Sequence, residues 1–271
     1  MSTIASQVVP QDRPPLVSVV VPTFNRAGEV AQAIDSVLAQ TYPHWELIVV
    51  DDGSQDDTPR GLAAYGPRIR TIRQENRGVS AARNRGILAA GGQFIALLDS
   101  DDYWLPDKLA AQIACFQRHP ALMLCQTEEI WIRNGRRVNP KLPLCLISPS
   151  AVMLRRSLLD EVGLFDETLP ACEDYDLWLR ITWKYPVGLI ETPLIVKRGG
   201  HADQLSAMPE LDKYRIRAIV KILEQGCLSP SQAAAARAML AEKCRIYAAG
   251  CRKRERDEEA AYYLSLGSNQ G

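Results

Sequence analysis

No two cysteines in this sequence stand in a C-x-x-C spacing, and the seven that occur (Cys115, Cys125, Cys145, Cys172, Cys227, Cys244 and Cys251) are odd in number. That argues against a zinc knuckle and against a disulfide framework, and it reads as reduced, mostly structural thiols in a cytosolic protein. An excess of one charge sign is missing too: Lys+Arg and Asp+Glu are both 32, for a net charge of zero. A nucleic-acid binder ordinarily carries a basic surplus, so no nucleic-acid partner is expected. No apolar run reaches the ~18 residues that would suggest a membrane span. Met1–Pro15 is polar, carries prolines and lacks the apolar centre of a signal peptide; it reads as a disordered lead-in. The first strand-to-helix turn, Pro22–Gly28, has no G-x-G-x-x-G, and G-x-x-x-x-G-K-[ST] occurs nowhere, which removes the dinucleotide fingerprint and the P-loop. No internal repeat of fixed period is present.

What the sequence does contain is an alternation of strands and helices. The β-branched run Leu16–Val21 predicts a buried strand, and Val30, Ile34, Val37 and Leu38 then share one helical face. Glu46–Val50, Arg68–Arg73 and Phe94–Leu98 predict further strands. Helices are predicted from Asp56–Thr58, over Gly78–Ala90 with a stop at Gly91-Gly92, and from Pro106 to before Pro120. The order βαβαβαβα predicts a mainly parallel, Rossmann-like sheet flanked by helices.

Beyond residue 120 the pattern changes. Leu122–Cys125 and Glu129–Arg133 predict strands, with Asn134-Gly135 a hairpin signal before Arg136–Val138. Ser150–Leu154 predicts a strand, Ser157–Glu161 a short helix, Asp174–Tyr185 a helix and Leu189–Val196 a final strand pair. From Met208 onward the chain reads as helical. The expected division is therefore a disordered segment at 1–15, an α/β domain at 16–205 and a C-terminal helical appendage at 206–271.

Two predicted strands run straight into acidic clusters, Asp51-Asp52 and Asp99-Ser100-Asp101-Asp102. Ligands of open parallel sheets bind beyond the carboxyl ends of the strands. Crowded carboxylates repel one another, and a divalent cation relieves that repulsion. Mg²⁺ and Mn²⁺ are commonly held by one or two carboxylates together with substrate phosphates, so the pattern points to a metal–diphosphate site with Mn²⁺ or Mg²⁺ as cofactor. The competing explanation is that acidic residues after strands are helix caps or solvated turns.

The segments Val19–Arg26 (VVVPTFNR), Glu46–Ser54 (ELIVVDDGS), Asn76–Asn84 (NRGVSAARN) and Leu98–Asp102 (LDSDD) resemble those of the family 2 inverting glycosyltransferases, and Glu173–Arg180 (EDYDLWLR) resembles that family's later acidic motif. The resemblance spans roughly residues 16–200 and implies the GT-A fold. It implies that Pro22, Thr23, Phe24 and Asn25 pack beside a nucleotide base, that Asp52 bonds the base and that Asp51 shapes the turn. Arg83 would lie near the diphosphate. Asp99 would face the ribose or a metal-bound water, with Ser100 in the same donor-binding turn, and Asp101 would ligate the metal. Asp174 would be the general base that deprotonates an acceptor hydroxyl, with Glu173 the weaker candidate. Helix capping is the other reading of Asp174.

His201 follows two glycines in a polar stretch and is a candidate to complete the metal shell or contact the diphosphate, against a surface-loop histidine as the alternative. Trp104 is read as a wall of the donor or acceptor site or as core. Lys197-Arg198 is read as a solvated basic pair, with phosphate neutralisation as the other reading. The expected partners are a nucleotide-diphosphate sugar donor, UDP-linked for choice, and a glycan, lipid-linked or other hydroxyl acceptor. A sugar-phosphate nucleotidyltransferase and a non-catalytic nucleotide-sugar-binding module are the alternatives; Pro22–Gly28 has little of the glycine-rich, basic loop the former would favour. The expected location is cytoplasmic; peripheral membrane contact and a homodimer both stay open.

Overall fold

The computed structural model describes residues 14–138, 147–200 and 208–268. Residues 1–13 of the lead-in predicted at 1–15, His201 and Cys145 lie outside the described residues. Strands β1 (Val17–Thr23), β2 (Trp45–Asp51), β3 (Arg70–Arg73) and β4 (Phe94–Leu97) alternate with helices α1 (Val30–Leu38), α2 (Thr58–Ala63) and α3 (Val79–Ala89). Next come β5 (Tyr103–Trp104), α4 (Lys108–Arg118), the hairpin β6 (Leu124–Arg133) and β7 (Arg136–Val138), β8 (Val152–Arg155), α5 (Arg156–Val162), α6 (Glu173–Thr182) and β9 (Val187–Gly199). Helices α7 (Leu211–Glu224), α8 (Pro230–Arg252) and α9 (Asp257–Ser268) complete the described chain.

The strand order is β3-β2-β1-β4-β8-β6-β9-β5, with β7 added to β6. Strands β1 to β4 are parallel, as predicted, but β8 inserts antiparallel between β4 and β6. Two reversals restore the direction, so β6 and β9 again run with β4. The C-terminal ends of β1, β2, β4, β6 and β9 therefore share one edge of the sheet, and every sequence-predicted acidic turn is delivered there.

Strand β1 is buried along its whole length because both faces of the sheet are covered. Its alternation serves two cores. Val17, Val19 and Val21 pack with Ile34 and Val37 of α1 and Leu109, Ile113 and Phe116 of α4, whereas Val20 packs with Ala82 and Ile87 of α3 and Leu177, Trp178 and Ile181 of α6. Gly86 lets α3 lie close on the sheet: a Cβ there would meet Val20 Cγ1 at 2.3 Å and Val50 Cγ2 at 3.2 Å. Gly86→Ala is expected to cost about 1–3 kcal/mol by overpacking, seen as a lower urea midpoint with an unchanged m-value.

One strand replaces the pair predicted over Leu189–Val196. Pro193 has no N–H to give the ladder, yet β9 continues through it because β6 shifts register at Thr127–Glu128–Glu129, setting Glu128 opposite Pro193. The same bulge merges the two strands predicted at Leu122–Cys125 and Glu129–Arg133 into one.

Helices α7 to α9 have a core of their own, with Ile216, Ile219, Leu240, Cys244, Tyr247, Cys251 and Tyr263 at its centre. Tyr175 and Leu179 of α6 pack onto it from the other side. Helix α6 thus turns one apolar face to the sheet and another to the C-terminal helices. No helix among the described residues is long and apolar enough to cross a membrane.

Candidate functional site

The site begins where β1 and β2 end side by side, with Thr23 in register with Asp51. Asp52 N–H donates to Thr23 O at 2.9 Å, and Asn25 N–H donates to Ser54 Oγ at 2.9 Å. Arg26 N–H to Thr58 Oγ1 and Gln55 N–H to Asn25 Oδ1 fasten the two loops further. Asn25 adopts a left-handed conformation (φ 50°), which asparagine tolerates better than most residues. Asp51 Oδ1 accepts from Ser54 N–H at 2.9 Å within the turn, while its Oδ2 faces Arg73 at 3.4 Å. Gly53 (φ 82°) completes that turn, and a Cβ there would strike Asn76 N at 2.9 Å. Thr23 is buried with no hydrogen-bond partner for Oγ1 among the described residues, and Phe24 stands 41% exposed on the rim.

Asp52 is buried, and its carboxylate accepts from Gln74 Nε2 (2.8 Å), Arg77 N–H (3.0 Å) and Gly78 N–H (2.8 Å). These bonds set a negative charge at the start of α3, where the helix dipole favours it. A carboxylate has about four acceptor sites; three are taken here, which leaves room for one more donor such as a base N–H. Gln74 and Arg77 were not singled out from sequence, since nothing in a short polar run after a strand marks it as the brace of a residue some 22 positions earlier.

The second half of the site is built around Arg83. Its buried guanidinium spans two carboxylates, NH1 to Glu173 Oε1 at 2.5 Å and NH2 to Asp99 Oδ1 at 2.6 Å. Burial alone would lower the Arg83 pKa, but Asp99 and Glu173 more than offset it and hold the charge firmly. For Asp99, burial pushes upward and Arg83 outweighs it, so the carboxyl sits below its usual range. Arg83 is thus committed to two protein carboxylates at the place where the resemblance put it near a diphosphate.

Asp102 is also buried, and burial, with Asp101 and Asp99 adding, raises its carboxyl to about 8 against the opposing pull of Lys197 and Ser150. Its Oδ1 accepts from Arg198 N–H at 3.0 Å, and Arg198 Nε donates to Asp101 O at 2.6 Å. Asp99 N–H donates to Ser150 Oγ at 3.0 Å, and Ser100, in the same turn, is buried. The end of β9 is therefore clasped to the acidic turn, and the solvated-pair reading of Lys197-Arg198 is corrected. Lys197 is half-buried, with its ammonium 2.8 Å from Ser148 Oγ and 4.8 Å from the Trp131 ring centroid. Burial would lower its pKa, but Asp102, Glu129, Asp99 and Asp174 raise it instead. The register that brings Lys197 here is a property of the sheet and leaves no local signal.

Trp104 lies in the core of the sheet's α1–α4 side. It is 3% exposed, its Nε1 donates to Ser150 O at 2.8 Å and its ring carries the Lys108 ammonium at 4.0 Å, so of its two readings the packing supports core over site wall.

Glu173 and Asp174 open α6, preceded by Cys172 in a left-handed conformation (φ 58°). The structure separates the two acids. Glu173 is tied to Arg83, whereas Asp174 accepts from Tyr175 N–H at 2.7 Å and is pushed up to about 6, first by burial and then by Glu173, with Arg83 opposing.

Among the described residues no three His, Cys, Asp or Glu side chains form a metal cage. The donor set fits the other mode, in which one or two carboxylates share the ion with phosphate oxygens. Asp99 is held by Arg83 and Asp102 by the Arg198 amide, with half-buried Asp101 between them. Asp101 and Asp99 add to the burial that raises Asp102, and their part is a repulsion that a cation would relieve.

A curled, mainly parallel sheet with helices on both faces, acidic turns on one edge and a helical C-terminal region is the GT-A architecture. The profile described as "Glycosyl transferase family 2" matches residues 18–163, and the chain belongs to that family. An uncharacterized glycosyltransferase of Rickettsia felis is 33% identical over 211 residues, covering 70% of this chain and 35% of that protein, so the chain spans about a third of its length. Escherichia coli WfgD, named as a UDP-Glc:α-D-GlcNAc-diphosphoundecaprenol β-1,3-glucosyltransferase, is 36% identical over 178 residues (61% of this chain, 69% of that protein). S. aureus TarS 1–349 in complex with UDP-GlcNAc superposes with a TM-score of 0.76 at 20% identity, over 94% of this chain and 81% of that one. A Pyrobaculum calidifontis mannosyltransferase in complex with GDP-Man and Mn²⁺ does so at 0.59 and 20% identity, over 96% and 87%. At these identities the structures speak for the fold.

Proposed function

We propose that this chain transfers a sugar from a nucleotide-diphosphate sugar, UDP-linked, to a glycan or lipid-linked acceptor hydroxyl with inversion at the anomeric carbon. The observation that carries the reading is the division of labour at the start of α6: Arg83 neutralises Glu173 and leaves the neighbouring Asp174 with a raised carboxyl suited to proton abstraction. The UDP-GlcNAc complex of TarS and the UDP-Glc and diphosphoundecaprenol substrates in the name of WfgD support the donor and acceptor classes.

On this reading the base lies against Phe24 and the Thr23–Asn25 loop, with Asp52 accepting its N–H. The diphosphate lies over the Asp99–Asp102 turn, where Asp101, joined by His201, would hold Mn²⁺ or Mg²⁺. Such an ion, when bound, supplies charge neutralisation to the departing nucleoside diphosphate. Asp174 takes the acceptor proton as the hydroxyl oxygen attacks the anomeric carbon from the face opposite the diphosphate. One displacement inverts that centre.

The test offers a panel of UDP- and GDP-sugars and glycan acceptors with Mn²⁺, Mg²⁺ or EDTA. Nucleoside diphosphate should be released, with an inverted glycoside seen by NMR. Pyrophosphate as product, or donor binding without turnover on every acceptor, would overturn the proposal. Asp101→Ala is expected to weaken Mn²⁺ binding to the enzyme–UDP complex by a factor on the order of ten, read from the free Mn²⁺ signal in electron paramagnetic resonance.

A further inference from the structure

Asp176 is 1% exposed in the first turn of α6, two residues past Asp174. A buried carboxylate needs counter-charge, and none of it comes from the sheet. Arg180 Nε, one turn on, reaches Asp176 Oδ2 at 3.0 Å. Lys221 Nζ, from the C-terminal helix α7, reaches Asp176 Oδ1 at 2.6 Å. The same ammonium reaches Asp166 Oδ2 at 2.6 Å.

Asp166 belongs to the loop that leads into α6, and that loop is tied from several sides. Arg180 donates to Val162 O at 2.6 Å and Leu164 O at 2.7 Å. Asp166 Oδ1 accepts from Thr168 N–H at 2.9 Å, and Thr168 Oγ1 accepts from Arg217 of α7 at 2.8 Å. Asn84 of α3 bonds both Phe165 N–H and Phe165 O. At the end of the loop, Cys172 Sγ lies 3.7 Å from Leu211 O, the first residue of α7. The first turn of α6 is therefore gripped by Arg83 at Glu173 and, from the C-terminal side, by Lys221 at Asp176, while Asn84 holds the loop that leads into it.

We propose that Lys221 is a positioning residue for transfer: through Asp176 and Asp166 it fixes the first turn of α6, so that the C-terminal helices form part of the catalytic unit. The inference rests on the reading of Asp174 as the base. Lys221 is far from the donor turns in sequence and in its contacts, so its loss should disturb the aim of the base while leaving donor binding intact. Displacement of a catalytic group by about 1 Å can cost on the order of a hundredfold in rate; for a loosened helix turn roughly tenfold is expected.

The experiment compares full-length Lys221→Met, Lys221→Arg and Asp174→Asn for kcat, donor KM and melting temperature. Lys221→Met should lower kcat about tenfold at unchanged donor KM while folded at the assay temperature, and Lys221→Arg should recover most of it. If Lys221→Met strands Asp176 and does not fold, the Lys221→Met/Asp176→Asn double variant removes the stranded carboxylate, leaves Arg180 on the Val162 and Leu164 carbonyls and the amide oxygen introduced at position 176, and should still show the lowered kcat. A folded single or double variant with wild-type kcat, or a change confined to KM, overturns the positioning role. Should Asp174→Asn itself keep wild-type kcat, the base assignment falls and the proposal falls with it; an inactive Asp174→Asn beside a fully active Lys221→Met rejects the positioning role alone.

Discussion

Asp174→Asn is expected to lower kcat for transfer by roughly 10²–10⁴-fold, the usual contribution of a positioned general base. Donor KM should stay where it is, because the loops proposed for the nucleotide, Thr23–Asn25 and Asp51–Ser54, are held by bonds to each other that do not involve Asp174. The sign of the stability change distinguishes this from damage. The Asp174 carboxyl is raised in the folded protein by burial and Glu173, so the fold takes up a proton as pH falls toward about 6, and its ionised form is a destabilising group at neutral pH. An amide there removes that penalty, so the melting temperature at pH 7 should hold or rise while turnover is lost. In the wild type, transfer should fall as pH drops through about 6, since the acceptor proton needs an ionised Asp174. An acid limb lying near pH 4 in the pH–rate profile would contradict the assignment.

Arg83→Met is the substitution expected to harm the fold most. It leaves Asp99 and Glu173 facing each other without the guanidinium that bridges them, at side-chain exposures of 27% and 6%. Removing one partner of a buried ion pair typically costs about 3–5 kcal/mol, because the remaining charge stays desolvated. Urea unfolding should show that loss as a lower midpoint. Arg83→Met combined with Glu173→Gln should be less destabilised than Arg83→Met alone, since one stranded charge is gone; equal losses would mean that the two residues are not energetically coupled. Arg83→Lys should recover only part of the loss, as a single ammonium cannot reproduce a planar fork aimed at two carboxylates.

The parts of the site that could be read from the sequence are those in which one segment carries the whole signal. Glu46–Val50 followed by Asp51-Asp52, and Phe94–Leu98 followed by Asp99–Asp102, announce both the strand and what it delivers to the sheet edge. The start of α6 was legible for the same reason, as three acids precede the apolar spacing of Leu177, Trp178 and Ile181. What escaped was set by pairing between distant segments. Lys197 looked like a solvated base because its neighbourhood comes from the register of β9 against β6, and that register depends on a bulge opposite Pro193. Trp104 stood close enough to the acidic cluster to suggest a ligand wall, yet the two-residue strand β5 pairs with β9 and turns the indole inward. Sequence separated Glu173 from Asp174 only by resemblance; Arg83, 90 positions away, supplies the physical distinction.

Helix α6 belongs to two cores at once, with Leu177 and Ile181 facing the sheet and Tyr175 and Leu179 facing the C-terminal helices. That double allegiance restricts how such a chain can diverge. Replacing the C-terminal helices would uncover Tyr175 and Leu179, which lie in the same ten-residue segment as the proposed proton acceptor. A graft that ignored this would expose apolar surface on one side of the segment and loosen the turn that carries Asp174 on the other.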